Sequence, residues 1–197
     1  MAQEAATGLA LKQVRFIPAG EPWQRDPARA TPHQRLEMVR LACAGNPLFV
    51  VDDREVLRRG PSYSVDTLSE LRAELGADQP LCLLLGADAF LGLASWHRWQ
   101  DLFELAHFAV AHRPGFSQIS WADRMPPTLQ QALAARQTDD ASALTKTPAG
   151  HILTYALTPL DISASRIRAD LQQNNSPRYL VPDAILNYIS QNTLYSE

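Results

Sequence analysis

The sequence predicts an α/β fold, a Rossmann-like doubly wound parallel sheet, on three observations. Short apolar runs alternate with longer segments of helical periodicity along the chain, which is the pattern of βαβ units. The run Leu81-Cys82-Leu83-Leu84-Leu85-Gly86 is apolar throughout, as suits a strand covered on both faces. The segments that follow strands are polar, glycine-rich or basic: Pro18 to Arg25, Asp52, Gly86 to Asp88, His112-Arg113 and Ser163 to Arg168. In an open parallel sheet these positions line the crevice at the carboxyl ends of the strands, where ligands bind. A length of 197 residues suits one domain over 1–197 with a sizeable core.

Each element has a local reason. Ala5, Ala6, Leu9 and Ala10 fall at helical spacing, so Ala2 to Gln13 reads as an amphipathic helix without an N-cap. Val14 to Pro18 is a short buried strand, and the prolines at 18, 22, 27 and 32 make a stiff loop after it. Thr31 caps a helix with Pro32 at its first position, and Gly45-Asn46-Pro47 stops it. Leu48 to Val51 is a strand, and Arg54 to Ser62 a charged loop. Ser64 caps a helix carrying Val65, Leu68, Leu71 and Leu75, ended by Gly76. After the apolar Leu81 to Gly86 strand, a helix is expected from Asp101 to Ala106 and a strand from Phe108 to Ala111. A helix follows near Thr128 to Arg136, then a polar loop from Thr138 to Gly150. His151 to Leu157 is the last strand, and Pro182 opens a helix over Asp183 to Gln191.

Composition narrows the function classes. Apolar content of 46% and charged content of 20% are ordinary for a soluble globular protein. A net charge of −3 argues against a general nucleic-acid binder, while leaving room for a local basic pocket. Cys43 and Cys82 sit in apolar runs and read as reduced core thiols. No apolar run approaches the ~20 residues of a membrane span, and Met1 to Gln13 lacks the marks of a signal peptide. The expected compartment is the cytoplasm.

The candidate chemistry gathers around Ile162-Ser163-Ala164-Ser165-Arg166-Ile167-Arg168, which opens a helix after the last strand. Ser163 or Ser165 can cap that helix, and free N–H groups, hydroxyls and guanidiniums together favour a phosphate. A capped surface helix with solvated arginines is the plain alternative. Arg166 and Arg168 point about 200° apart on a helix, so they cannot both face one site. Arg113, after another strand, can join the clamp. Asp88 suits a ribose hydroxyl, or a helix cap, and Trp96 suits stacking on a planar ring, or a buried anchor. No Gly-x-Ser-x-Gly elbow supports a hydrolase. The histidines at 33, 97, 107, 112 and 151 lack zinc-ligand spacing, so no metal ligands are assigned.

Together these motifs resemble the bacterial nicotinate-nucleotide adenylyltransferases of the nucleotidyltransferase α/β superfamily. The resemblance rests on Val14-Arg15-Phe16-Ile17-Pro18-Ala19-Gly20, Pro61 to Leu68, Leu85-Gly86-Ala87-Asp88, Trp96, Arg113-Pro114-Gly115 and the Ile162 to Arg168 stretch. It implies transfer of AMP from ATP to nicotinate mononucleotide, with Mg²⁺ accompanying ATP, to give nicotinate adenine dinucleotide and pyrophosphate. By that resemblance, Ser163, Ser165, Arg168 and Arg113 hold the ATP phosphates. Trp96, Asp88, Ser64 and Thr67 serve the nicotinate nucleotide. The family also has a first strand and a Gly-Gly-x-Phe-Asp-Pro-x-His-x-Gly-His loop, whose histidines contact the ATP phosphates. That motif does not occur in this sequence, so no catalytic residue is assigned. A first strand missing from this fold type would be central in the sheet and leave its neighbours unpaired. Pro22-Trp23-Gln24-Arg25 stands where many relatives have Pro-Pro-His-Lys. Two alternatives stay open: an inactive or non-catalytic nucleotide-binding remnant, and an adenylyltransferase for another acceptor, such as nicotinamide mononucleotide or phosphopantetheine.

Overall fold

Parallel strands built from branched and aromatic residues make up both sheets of the computed structural model, which describes residues 1–21, 30–112, 124–158, 160 and 162–195. The segment through Pro22 and Arg25, and Arg113-Pro114-Gly115, lie outside the described residues. The described chain divides into two compact units, Met1–Leu11 with Tyr63–Pro159, and Lys12–Ser62 with Leu160–Glu197.

In the first unit, β3 (Cys82–Gly86), β4 (His107–His112), β5 (Gln137–Thr138) and β6 (Ile152–Ala156) form a parallel sheet in the order β3-β4-β6-β5. Cys82 pairs with His107 and Gly86 with Ala111, and Phe108 to His112 pair in turn with Ile152 to Ala156. Central β4 is the core of the unit: Phe108, Ala109, Val110 and Ala111 are buried, and Phe108 meets Phe90 and Phe103. β3 departs from the expectation. Only Leu85 is buried, and Leu83 and Leu84 are half-buried, because β3 pairs with β4 alone among the described strands. The Cys82 thiol is nonetheless deep enough that burial pushes it up to about 12, and both cysteines are free thiols.

The helices of this unit depart locally from the expected bounds. α1 (Ala2–Gly8) is shorter than Ala2 to Gln13, and the chain turns at Ala10, where φ is 49°. α4 (Ser64–Leu75) has Tyr63 at its N-cap position with no side-chain cap, so Ser64 is the first helical residue and not the cap. Gly76 ends it with φ 93°, a conformation that glycine adopts without strain. α5 (Ala87–Leu91) follows β3 directly, and the expected Asp101 to Ala106 helix divides into a 3₁₀ turn and α6 (Leu102–Leu105). α7 (Pro127–Arg136) matches the helix expected near Thr128 to Arg136. The segment expected as a polar loop to Gly150 contains the end of β5 and α8 (Ala143–Lys146), whose Leu144 is buried.

In the second unit, β1 (Val14–Phe16) pairs in parallel with β2 (Phe49–Val51), and Phe16 and Phe49 meet edge to face at 4.9 Å. Between them, α2 (Pro32–Cys43) starts with a full capping box: Gln34 N–H donates to Thr31 Oγ1, and Thr31 N–H to Gln34 Oε1. The expected charged loop after β2 begins with a short helix, α3 (Arg54–Leu57). α9 (Ala164–Gln172) and α10 (Asp183–Gln191) complete the unit, and Met38, Leu171, Ile185 and Tyr188 pack on buried Ala30, Ile189 and Leu194. Asp52 accepts from Arg15 and, through two guanidinium nitrogens, from Arg54, so it is committed inside this unit. Burial works against its charge, but the Arg54 hydrogen bonds and both guanidiniums hold its carboxyl below the usual range. No helix among the described residues is long and apolar enough to cross a membrane.

Two side chains fix the amino-terminal end of the four-stranded sheet. The Arg72 guanidinium donates to the carbonyls of Gly76, Ala77, Gln79, Leu105 and Pro148. Fully buried His107 donates from Nε2 to Thr147 O at 2.8 Å and accepts the His151 N–H at Nδ1, 3.1 Å away. The His107 and His151 rings stack at 5.4 Å and 7°. Arg72→Ala is therefore expected to cost about 1–3 kcal/mol, the penalty for orphaned acceptors, and to lower Tm by roughly 2–4 °C per kcal/mol in thermal unfolding. An unchanged Tm would mean that water replaces the guanidinium without loss. Burial lowers the His107 pKa, against the raising effect of its bond to Thr147, with His151 and Arg72 lowering it further. The unfolded chain then binds the extra proton, so this stabilisation is present above the ordinary histidine pKa of ~6.5 and is lost as pH falls below it. Urea unfolding at pH 7.5 and 5.5 should show the loss in the parent chain and a smaller one in His107→Gln.

Candidate functional site

The candidate residues fall on two surfaces, one in each unit, and each is built by a different local device. In the first unit, α5 starts at the end of β3 with Gly86 as N-cap and no side-chain cap. Asp88 therefore does not cap the helix. It projects from the first turn, its side chain 91% exposed, with one oxygen 3.7 Å from the Arg124 guanidinium. An exposed carboxylate there can accept from a hydroxyl.

Trp96 follows a 3₁₀ turn, Leu93–Ser95, and is half-buried. Its N–H donates to Leu93 O at 2.9 Å, and its carbonyl accepts the Trp99 N–H at 3.2 Å, so the backbone is held on both sides. The adjoining His97 ring lies 4.4 Å from the Tyr63 ring, tilted by 33°. That contact brings the Trp96 segment to the amino end of α4, where half-buried Ser64 begins the helix. Thr67, the other α4 residue expected at the nicotinate nucleotide, is 5% exposed. It lies four residues before buried Leu71 on the same face of α4.

In the second unit, Ser163 is the N-cap of α9, with Oγ accepting the Arg166 N–H at 3.2 Å. Ser165 Oγ accepts from Arg168 Nη2 at 3.2 Å, which turns the Arg168 guanidinium back toward the start of the helix. Ser163, Ser165, Arg166 and Arg168 are all exposed. A helix N-terminus already carries partial positive charge, so guanidiniums in its opening turns gain little from the helix and much from an anion. Capping uses a lone pair of Ser163 and leaves its O–H free to donate; Ser165 is in the same position. Arg113 lies outside the described residues.

Tyr63 lies in the Pro61 to Leu68 motif, but the sequence did not mark its contact with His97, because a ring contact between distant segments leaves no periodic trace. For His97 the signal was its adjacency to Trp96. Among the described residues, no group of three or more His, Cys, Asp or Glu side chains is placed to hold a metal ion.

Comparison with known proteins gives this arrangement its family. Residues 1–170 match the family model described as cytidylyltransferase-like. The chain is 50% identical over 196 residues to a probable nicotinate-nucleotide adenylyltransferase of Dechloromonas aromatica, covering 99% of this chain and 89% of the relative. A relative of the same description from Acidithiobacillus ferrooxidans is 45% identical over 193 residues, covering 98% of this chain and 86% of the relative. Among solved structures, the Plasmodium falciparum nicotinic acid mononucleotide adenylyltransferase complexed with NaAD aligns with a TM-score of 0.64 at 15% identity, over 94% of this chain and 83% of that one. That likeness supports the fold. With the family model matched over residues 1–170 and such identities over nearly the whole chain, the protein belongs to the cytidylyltransferase-like nucleotidyltransferases, among the nicotinate-nucleotide adenylyltransferases.

Proposed function

We propose that this protein transfers AMP from ATP to nicotinate mononucleotide, forming nicotinate adenine dinucleotide and pyrophosphate in the cytoplasm. A phosphate oxygen of the mononucleotide attacks the α-phosphorus of ATP. The new P–O bond forms as the bond to the bridging oxygen breaks, and pyrophosphate leaves. Such a transfer needs positioning and charge neutralisation more than a protein nucleophile.

The observation that supports this reading is a division of chemistry between the two surfaces. One carries a half-buried tryptophan beside a helix start, suited to a flat pyridine ring with a polar edge. The other carries Ser163, Ser165 and Arg168 at a capped helix start, suited to phosphates. In this reading Trp96 stacks on the pyridine, Ser64 lies at its polar edge, Asp88 takes a ribose hydroxyl, and Arg113 joins the phosphate clamp. Thr67 lies on the same helix start, behind Ser64. Magnesium enters as MgATP, carried by the triphosphate, since the serine and arginine donors at α9 suit phosphate oxygens and not a cation.

The resemblance gives two histidines a role on the ATP phosphates, and residues 1–197 contain no His-x-Gly-His motif. Loss of a single preorganised donor costs about 10²–10³ in rate. A polypeptide of residues 1–197 is therefore expected to make the dinucleotide at least that much more slowly than a relative with the motif. Pyrophosphate release with ATP and each of nicotinate mononucleotide, nicotinamide mononucleotide and phosphopantetheine tests the assignment. Preference for the nicotinate form supports it, and preference for either of the others overturns it. ATP binding with no turnover on any acceptor favours a non-catalytic nucleotide-binding protein.

Two variants separate the surfaces. Arg168→Ala should weaken ATP use by about 1.5–3 kcal/mol, the worth of a charge-assisted bond, and leave the acceptor KM unchanged. Trp96→Ala should raise the acceptor KM about tenfold, on the scale of an aromatic stack, and leave the ATP KM unchanged. An ATP KM unmoved in Arg168→Ala removes that residue from the phosphate site.

A further inference from the structure

Trp96 can hold a flat ring only if its own segment is held, and that segment is an irregular stretch between two 3₁₀ turns, Leu93–Ser95 and Trp99–Asp101. Within it, Arg98 is left-handed, with φ 50° and ψ 41°, an unfavourable conformation for a side chain as large as arginine. The Arg98–Asp101 ion pair, 2.6 Å across, accompanies this reversal of the chain. The residue between Trp96 and the reversal is His97. Its side chain is exposed, so packing in a core does not fix its direction. What it does meet is the Tyr63 ring, at 4.4 Å between centroids.

Tyr63 occupies the N-cap position of α4 with an extended backbone, φ −94° and ψ 133°, and it caps nothing with its side chain. Serine, threonine, aspartate and asparagine are the residues that satisfy a helix start, and an aromatic residue there forgoes that gain. Its ring is turned instead onto His97. An exposed histidine and a half-buried tyrosine, each adjacent in sequence to a residue of the acceptor surface, thus bridge the two segments that carry Trp96 and Ser64.

We propose that the Tyr63–His97 ring contact is a clasp that holds the Trp96 segment against the start of α4, and so sets the affinity for the aromatic acceptor. His97 and Tyr63 are positioning residues: they act through Trp96 and Ser64 and leave the transfer step alone. The proposal rests on the function given above, in which Trp96 stacks on the acceptor ring.

Isothermal titration of the full chain with nicotinate mononucleotide, and separately with ATP, tests the clasp without requiring turnover. His97→Ala should weaken mononucleotide binding about 3- to 10-fold, and Tyr63→Ala similarly. The double variant should be no weaker than the worse single one, because either change opens the same contact. His97→Tyr and Tyr63→Phe keep a ring on each side and should restore parental binding. ATP binding should stay within twofold throughout. In turnover, the acceptor KM should rise in His97→Ala while kcat holds. Equal loss of ATP and mononucleotide binding, or failure of the ring-retaining variants to rescue, would mean general disruption and overturn the clasp. Parental binding by His97→Ala would overturn it as well. If the parent chain itself fails to bind nicotinate mononucleotide, the assigned function fails first, and the two failures are told apart by that single titration.

Discussion

The four-stranded sheet depends on what happens where its strands begin. Because β3, β4 and β6 run parallel, their entries lie at one end, and one guanidinium can reach the carbonyls ahead of all three. Arg72 does this from the last turn of α4: Gln79 precedes β3, Leu105 precedes β4, and Pro148 precedes β6. Five donors in a planar fork suit several acceptors at once, and Pro148 O is shared, since it also accepts the Leu81 N–H at 3.2 Å. His107 adds a second tie at the same end, joining the first residue of β4 to Thr147 and to His151. With both ring nitrogens used, its tautomer is set, and a second proton would break the bond that it accepts.

Securing that end leaves the other end free to carry function. β3 runs directly into α5 and Asp88. The segment through Trp96 is irregular, with 3₁₀ turns and a left-handed residue, and irregular backbone held by a rigid frame is where binding residues concentrate. The contrast extends to the histidines. His107 is buried, fully hydrogen-bonded and structural, whereas His97 is exposed and meets an aromatic ring beside the proposed acceptor surface. A histidine's role here follows from depth and partners, neither of which is visible in its spacing.

Local devices were legible in the sequence, and long-range ones were not. Thr31-Pro32 marked the start of α2, Pro182 marked α10 residue for residue, and Ser163 was one of two caps foreseen for α9. Each of these signals lies within one helical turn of what it determines. Ser64 misled because a hydroxyl before an apolar periodic run looks like a cap, and the helix starts one residue earlier than that logic allows. α3 and α8 were missed because helices of four residues have no period to detect. Family motifs give no depth, and Thr67 is 5% exposed.

The arginines show the limit most clearly. Arg72, Arg35, Arg54 and Arg168 are alike in composition and in helical context, yet the structure divides their work. Arg35 donates to the carbonyls of Ala19 and Gly20, gripping the chain just after β1. That chain has no room to move: a side chain on Gly20 would begin 2.1 Å from Glu55 O, and its N–H is taken by Ser62 Oγ. Arg54 is spent on Asp52, and Arg72 on the strand entries. Burial works against the charge of Arg35 and Arg72, so each is retained for the carbonyls that it satisfies. Arg168 has no such duty to the backbone. It is exposed, its described contact is one neighbouring hydroxyl, and it stands where a helix dipole already favours an anion. A guanidinium that the fold does not consume, placed where the field calls for negative charge, is available to an anion.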